Sequence, residues 1–362
     1  HGTTWSDDFP QPPHSGPEWF VSESGSDENN GSSEYPFATI QYAINSANEN
    51  DSIFVATGTY TENLDLSGKN VSLISTDGPE VTFIDGSQSG RVITLDNPNN
   101  NDIYNRISGF TIQNGSWNGA GAGIYAYYGN LDIENNIIRD NTTEGNGGGF
   151  SIEYGYANIF NCIIRNNNAN HGGGLAIRVD SEVNVIESVI ENNFASGEGG
   201  GIFTDNANVN IVESTVIWNS AGDTGGGLRI FDGSQNITNT VIANNSAVVH
   251  GGGIKFTGSS PTIENCTIVN NQSSVCAGGI VAAFTQAFIR NSIVHGNDVG
   301  SFCTIQGGSF DVGYSNIQGG YDGEGNFDED PQFCNPPVGN YQLAENSSSL
   351  NSGLDGSHIG YN

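Results

Sequence analysis

Two basic residues and a histidine have side chains that can move protons on an acidic sugar. Arg229 and Lys255 are 26 residues apart, and His250 precedes Lys255 by five positions. A lysine beside another cation has a lowered pKa and can act as a base, whereas arginine binds carboxylates. We therefore predict three catalytic candidates for a polysaccharide lyase: Lys255 as the base, Arg229 as the partner of a uronate carboxylate, and His250 as an auxiliary acid or base.

Six other residues are candidates for holding a sugar chain beside that group. Aromatic rings stack on sugar faces, and arginine binds acidic sugars. The candidates are Tyr125, Tyr127, Arg178, Phe203, Asp205 and Phe231. A structural interpretation competes, because Glu153, Arg178 and Asp205 recur in sequence as an alternating ladder of charges. In that interpretation Asp205 also reaches Arg229, and Phe203 packs on it.

An acidic segment near the end of the sequence is a candidate calcium site. Carboxylate oxygens are the ligands that Ca²⁺ prefers, although the spacing here is not that of an EF-hand. The predicted metal ligands are Asp322, Glu324, Asp328 and Asp330.

The charge balance limits the classes of partner. The 362 residues include 40 acidic and nine basic residues, which gives a net charge of -31. Such a surface repels nucleic acid and disfavours polyanionic ligands unless cations intervene. No stretch of 18 or more apolar residues occurs, so we predict no membrane span.

The cysteines and the start of the sequence point to an oxidising compartment. The chain starts at His1 and contains no methionine, which predicts that a leader was removed and that the protein is extracellular or on the cell surface. Cys276 and Cys303 are 27 residues apart and are predicted to form a disulfide, with Cys303–Cys334 as the competing pair. Cys162 and Cys266 are predicted to be inert core residues.

A repeat of about 26 residues must position all of these side chains. Asparagine recurs at a constant interval of 26, and each asparagine is preceded by a run of glycines one turn earlier. The asparagines are 141, 167, 193, 219, 245, 271 and 297, and the glycine runs end at 123, 149, 174, 201, 227, 253 and 279. A fixed interval of this kind indicates a solenoid, in which equivalent residues stack in columns. We expect the asparagine column to form a hydrogen-bonded ladder at a corner.

The residues between these markers predict strands. Apolar and β-branched residues recur in segments of about four to six residues, such as those around Ile124, Ile133 and Ile138, which are too short for helices. The predicted fold class is all-β: a parallel β-helix of about ten coils of roughly 26 residues.

Four regions follow from this pattern. Residues 1–33 are predicted to be an extended arm, and residues 34–50 a capping helix with Pro36 at its first position. Residues 51–316 are the predicted β-helix, and residues 317–362 a C-terminal capping segment.

Three segments carry a resemblance to a known group. They are the cap helix, the segment Asp51-Ser-Ile-Phe-Val-Ala-Thr-Gly-Thr-Tyr-Thr-Glu62, and the coils of the type GGGI followed by NCTIVNN. These resemble the pectate-lyase-like superfamily of right-handed parallel β-helices, and within it the exported generic β-helix repeat proteins. The resemblance covers residues 34 to about 316. It implies a right-handed coil and, in the enzymes of the superfamily, a sugar cleft on the outer face of the strand that follows the glycine corner.

Two functions remain open on the sequence alone. The first is a secreted or cell-surface structural or adhesive β-solenoid, which assembles into filaments or matrix through residues 1–30. The second is a carbohydrate-active enzyme or binder that uses the outer strand face at residues 125–255. A polysaccharide is the partner in the second case, and Ca²⁺ is the only cofactor that we predict.

Overall fold

The chain winds into a right-handed parallel β-helix, as the repeat predicts. The structure is a computed structural model that describes residues 14–98 and 103–361. Three long parallel sheets, A, B and C, run along the solenoid, and a fourth, narrow sheet D lies at one corner. Successive strands of each sheet come from successive coils, so that a column in the sequence is a column in space.

Sheet A has twelve strands and sheet B has eleven. The strands of sheet A are Glu18–Val21, Asp51–Val55, Val71–Ser75, Tyr104–Ser108, Asn130–Glu134, Tyr156–Phe160, Glu182–Ile186, Asn208–Val212, Gln235–Thr238, Thr262–Glu264, Gln286–Arg290 and Ser309–Gly313. Those of sheet B are Gly58–Tyr60, Thr82–Asp85, Thr111–Gln113, Ile137–Arg139, Ile163–Arg165, Val189–Glu191, Thr215–Ile217, Val241–Ala243, Thr267–Val269, Ile293–His295 and Asn316–Ile317.

Sheet C has ten strands and sheet D has seven. The strands of sheet C are Leu64–Asp65, Ile93–Asp96, Ile124–Tyr127, Phe150–Glu153, Leu175–Arg178, Ile202–Asp205, Leu228–Phe231, Ile254–Thr257, Ile280–Ala283 and Phe302–Ile305. Those of sheet D are Ser116–Trp117, Thr142–Thr143, Asn168–Ala169, Phe194–Ala195, Ser220–Ala221, Ser246–Ala247 and Gln272–Ser273.

The interior consists of stacked apolar columns. Ile124, Phe150, Leu175 and Ile202 are fully buried and follow one another in sheet C. Each such side chain contributes roughly 1.5–3 kcal/mol, because the coils on either side cover it. Cys162 and Cys266 are buried in a column of small residues, as predicted, and burial raises the pKa of each thiol to about 12.

The asparagine column forms the predicted ladder. The Asn141 Nδ2 donates to Asn167 Oδ1 at 3.0 Å, and the Asn167 Nδ2 donates to Asn193 Oδ1 at 3.1 Å. The ladder continues to Asn297, and each amide also donates to a backbone carbonyl of the preceding coil. The side chains therefore connect the coils along the buried corner.

The left-handed backbone that we expected at the ladder itself lies one residue earlier. Asn166 has φ 55° and Asn192 has φ 54°, whereas the ladder asparagines that follow them are absent from the positive-φ positions. The ladder asparagine faces the interior, so the turn has to be made by the residue before it. At the other corner the first glycine of each run has positive φ, as at Gly199 with φ 68°.

The N-terminal region differs in part from the prediction. The helix is Ile40–Ser46 and starts after Thr39, whose hydroxyl accepts a hydrogen bond from the Tyr42 N–H, so Pro36 is not its first residue. Glu18–Val21 is no free arm, because it pairs with Asp51–Val55 as the first strand of sheet A. Residues 1–13 of the predicted arm lie outside the described residues.

The C-terminal segment lies on the flank of the solenoid, and this corrects the prediction of an end cap for much of it. Its elements are the antiparallel strands Phe333–Asn335 and Asn340–Leu343 and the 3-10 helices Pro336–Val338 and Leu354–Gly356. Tyr341 and Ile359 are buried against Val241 and Ile293 on the outer face of sheet B. The apolar outer residues of the last coils in sheet B require this cover, and we call residues 331–361 the strap. No helix in residues 14–98 and 103–361 has the length and the apolar character that crossing a membrane requires.

Candidate functional site

The outer face of sheet C carries two columns of side chains in the register that the sequence predicts. The first column is Tyr125, Ser151, Ala176, Phe203, Arg229, Lys255, Val281 and Cys303. The second column is Tyr127, Glu153, Arg178, Asp205, Phe231, Thr257, Ala283 and Ile305. Every predicted binding residue therefore lies on one face.

A ridge beside the first column covers much of it. The ridge consists of the residues before each glycine corner: 170–172, 196–199, 222–225, 248–251 and 274–277. His171 stacks on Phe203 with ring centroids 5.1 Å apart, and Cys276 is joined to Cys303 by a disulfide. A ridge residue thus reaches the first-column residue of the next coil, and Ser151 and Ala176 are fully buried.

Arg229 is occupied by the ridge. Its Nε lies 3.1 Å from Glu198 Oε1, its Nη1 donates to the Ile230 carbonyl, and the residue is only 4% exposed. The guanidinium carbon also lies 5.1 Å from the centre of the Phe231 ring. Arg229 therefore has its carboxylate partner within the protein, and the predicted role as a uronate partner is corrected. The predicted contacts to Asp205 and Phe203 are replaced by those to Glu198 and Phe231.

Removing the Glu198 carboxylate is expected to destabilise the protein. Burial opposes the charge on Glu198, but Arg229 and the Thr224 hydroxyl outweigh it and lower the pKa of the carboxyl. A lowered pKa stabilises the folded state above the ordinary value of 4.5, and this stabilisation is lost as the pH falls below it. We predict that Glu198→Gln costs about 2 kcal/mol at pH 7 in urea unfolding, and less at pH 3.5.

The matched control for that variant is Glu134→Gln. Glu134 forms a hydrogen-bonded ion pair with Arg106, whose side chain is far more exposed than that of Arg229. Its loss should cost under about 1 kcal/mol. Equal costs at the two positions would show that the cover over Arg229 contributes nothing.

Lys255 and His250 are less engaged. Among the described residues Lys255 has no hydrogen bond or ion pair, and burial, then the Arg229 charge, lower its pKa. Burial, then the Lys255 charge, lower the pKa of His250, whose Nδ1 is buried and without a partner in the described structure. Asp223 acts against both shifts. The catalytic roles of Lys255 and His250 stay predictions.

The second column contains the predicted ion ladder. Arg178 Nη1 lies 2.9 Å from Glu153 Oε1, and Arg178 Nη2 lies 3.8 Å from Asp205 Oδ2. The three side chains neutralise one another across three coils, which confirms the structural interpretation of this part of the face. A role for Arg178 and Asp205 in binding sugar remains a prediction.

An aromatic cluster lies at the N-terminal end of the same face. We call Trp117, Tyr125, Tyr127, Tyr128 and Tyr154 the aromatic platform. The rings of Tyr128 and Tyr154 stack at 4.8 Å with an angle of 5°, and Tyr127 stands perpendicular to both. Adjacent coils supply these rings in register, which fixes their spacing.

Arg91 joins Trp117 to the rest of the platform. Its guanidinium carbon lies 3.9 Å from the centre of the Tyr125 ring and 4.9 Å from that of Trp117. Burial lowers the pKa of Arg91 and, with a smaller contribution from Glu153, raises the pKa of Tyr125 to about 12. A cavity of about 290 Å³ opens beside Arg91 and Trp117 and is also lined by Asp65 and Thr94. Trp117 itself is 44% exposed.

Sequence reasoning found Tyr125 and Tyr127 but missed the other members. Tyr154 follows Tyr128 by 26 residues, so the repeat contained a signal for that pair. Arg91 and Trp117 come from the irregular first coils, where spacing alone gives no register.

The acidic segment does not converge on a metal centre. Asp328 accepts a hydrogen bond from the Gly319 N–H and Asp330 accepts one from the Gln332 N–H, while Asp322 and Glu324 line a cavity. Within the part of the chain that the structure describes, His, Cys, Asp and Glu form no group of three that could hold a metal ion. Binding of Ca²⁺ at these four residues stays a prediction.

Comparison with known proteins agrees with the architecture. Residues 168–318 match the family described as "Right handed beta helix region", and residues 23–70 match a family described as "Protein of unknown function (DUF1565)". The uncharacterized protein YwoF of Bacillus subtilis (strain 168) is 30% identical over 138 residues, which are 35% of this chain and 28% of YwoF. The match thus spans less than a third of that relative.

Solved structures share the fold at low sequence identity. The crystal structure of pectate lyase Pel9A superposes with a TM-score of 0.59 and 14% identity over 95% of this chain and 96% of that one. XylC in complex with xylose gives a TM-score of 0.47 and 11% identity over 80% and 70% of the two chains. The chain is a right-handed parallel β-helix repeat protein. Within that class its fold is pectate-lyase-like.

Proposed function

We propose that this protein is an exported adhesive β-solenoid that binds a neutral polysaccharide chain on the aromatic platform, without cleaving it. The observation that carries the proposal is the platform itself, with five aromatic side chains around Arg91 at one end of the outer face of sheet C. Flat rings beside a wet cavity suit the apolar faces and the hydroxyls of a sugar chain.

The charges of the protein favour a neutral ligand. The net charge is -31, and Asp65, Asp96 and Glu153 lie close to the platform. A polyuronate would meet this repulsion at every sugar, whereas a neutral glycan would not. The disulfide between Cys276 and Cys303 is in keeping with export to an oxidising compartment.

The ion pairs of the face favour binding over catalysis. Arg229 is held by Glu198, and Glu153 and Asp205 are held by Arg178. These carboxylates and this guanidinium are neutralised within the protein, so they are poorly placed to protonate a leaving group or to bind a uronate.

Binding to a panel of glycans tests the proposal. Glucans, mannans, xylans and polyuronates are titrated with the protein, and Tyr154→Ala and Trp117→Ala are each expected to weaken binding about tenfold. Phe284→Ala is the matched control, because Phe284 is 63% exposed and occupies the same turn of a coil farther along the solenoid. That variant should bind as the wild type does.

Two results would overturn the proposal. One is unchanged binding in Tyr154→Ala and Trp117→Ala. The other is an ultraviolet absorbance of unsaturated sugars that rises during incubation with a polyuronate and disappears in Lys255→Ala. That second result would make the protein a lyase acting at Lys255.

A further inference from the structure

The two ends of the solenoid are finished differently. At the N-terminal end the first strand of sheet A is covered, because the Phe20 N–H donates to the Gly31 carbonyl and the Phe37 N–H donates to the Phe20 carbonyl. The helix Ile40–Ser46 buries Ile40, Ala43 and Ile44 beside it. This end presents little free strand edge.

The C-terminal end presents two strand edges. Phe302–Ile305 is the last strand of sheet C, and Ser309–Gly313 is the last strand of sheet A. In a parallel ladder, alternate residues direct their N–H and C=O groups to opposite neighbours. The Ser309 N–H donates back to the Thr285 carbonyl, so the N–H of Phe310 faces away from the preceding coil.

The outward groups on these strands are unpaired. The same alternation directs the N–H groups of Phe302 and Thr304 outward, because the Ile280 N–H donates to the Ser301 carbonyl. Within residues 14–98 and 103–361, the N–H groups of Phe302, Thr304 and Phe310 have no hydrogen-bond acceptor. An unpaired edge of this kind is a template for a further strand.

Apolar side chains lie next to the open edges. The rings of Phe302 and Phe310 are 4.7 Å apart, pack against the core and are only partly buried. Tyr321 stands edge-on to both, and the three rings lie at a cavity of about 850 Å³ that Phe310, Tyr321 and Phe327 line. The strap does not fill this space, because it packs on sheet B. The core therefore ends in an aromatic floor that is open to a ligand.

The charge around this end selects the occupant. Asp322 and Asp328 line the large cavity, and Asp311 and Glu324 line an adjoining cavity of about 370 Å³. Arg290 is the cation at this rim, and it already pairs with Asp311 at 2.8 Å. A cationic ligand complements such a rim, whereas a second copy of this chain, with its net charge of -31, is repelled.

We propose that the C-terminal end of the solenoid binds an extended, lysine-bearing peptide segment of a partner protein, which adds a strand to the edge at Phe302–Ile305 and places an apolar side chain on the aromatic floor. The backbone hydrogen bonds would give affinity, and the acidic rim would select the charge. The glycan platform lies at the other end of the molecule, so this proposal stands or falls separately from the proposed function.

A synthetic peptide of alternating Lys and Val with one central Phe is the probe, and the same peptide with Glu for Lys is its control. Calorimetry at low salt should show binding of the lysine peptide only, weakening as the ionic strength rises. Thr304→Pro removes the outward N–H without breaking an internal ladder bond and should weaken binding at least tenfold. Asp322→Asn should weaken it several-fold, whereas Glu345→Gln on the exposed strap should not.

The circular dichroism spectrum of each variant shows whether the fold is kept, and Asp322→Asn keeps the test decisive if Thr304→Pro fails to fold. Equal binding of both peptides, or unchanged binding in Asp322→Asn, would overturn the proposal. Concentration-dependent dimers in light scattering that Thr304→Pro abolishes would also overturn it, because the occupant would then be a second copy.

Discussion

Asn193→Ala is expected to lower the free energy of unfolding by about 4 kcal/mol. The side chain is 1% exposed, donates to Asn219 Oδ1 and to the Ile164 carbonyl, and accepts from the backbone and side-chain amides of Asn167. Alanine would leave these groups buried and unpaired, and each unpaired group costs about 1–3 kcal/mol. Urea unfolding, followed by circular dichroism, measures the loss.

A second amide ladder supplies the matched control. Asn210 donates to Asn184 Oδ1 at 2.8 Å and accepts from Asn236 Nδ2 at 3.1 Å, on the outer face of sheet A. Water can replace these partners, so Asn210→Ala should cost less than about 1 kcal/mol. Similar losses in the two variants would contradict the assignment of stability to the buried ladder.

Gly200→Ala is expected to cost more than about 3 kcal/mol or to prevent folding. A Cβ at Gly200 would overlap the carbonyl oxygens of Gly226 and Ser220 in the next coil. Both contacts are to backbone, so the coils would have to separate along the whole corner. The yield of folded protein and the urea midpoint measure the effect.

The control for this substitution is Gly68→Ala, where the added Cβ meets nothing within 4 Å. Gly68 has φ 72°, so alanine there carries only the cost of a left-handed backbone, about 1–2 kcal/mol. A Gly200→Ala protein that folds and is as stable as Gly68→Ala would show that the glycine corner is less tightly stacked than the structure indicates.

These effects follow from the part of the fold that could be predicted most completely. The interval between Asn141 and Asn167 is repeated through Asn297, and a residue in a regular coil has one position relative to its neighbours. The columns on sheet C, the amide ladder and the pairing of Arg178 with Glu153 were therefore accessible from spacing alone.

The ridge was not accessible in the same way. Its residues lie in the turns before the glycines, where the repeat does not fix which way a side chain points. Glu198 thus reaches Arg229 in the next coil, 31 positions later, rather than a residue one period away. The strap was missed for a related reason: Tyr341 meets Asn244 across 97 residues of sequence, outside any repeat.

The most direct test of the functional account is a crystal structure of the protein with a bound neutral oligosaccharide. The account predicts pyranose rings parallel to a ring of the aromatic platform, with hydroxyls directed into the cavity beside Arg91 and Trp117. Sugar density over Lys255 and His250, with the platform empty in the same crystal, would contradict it.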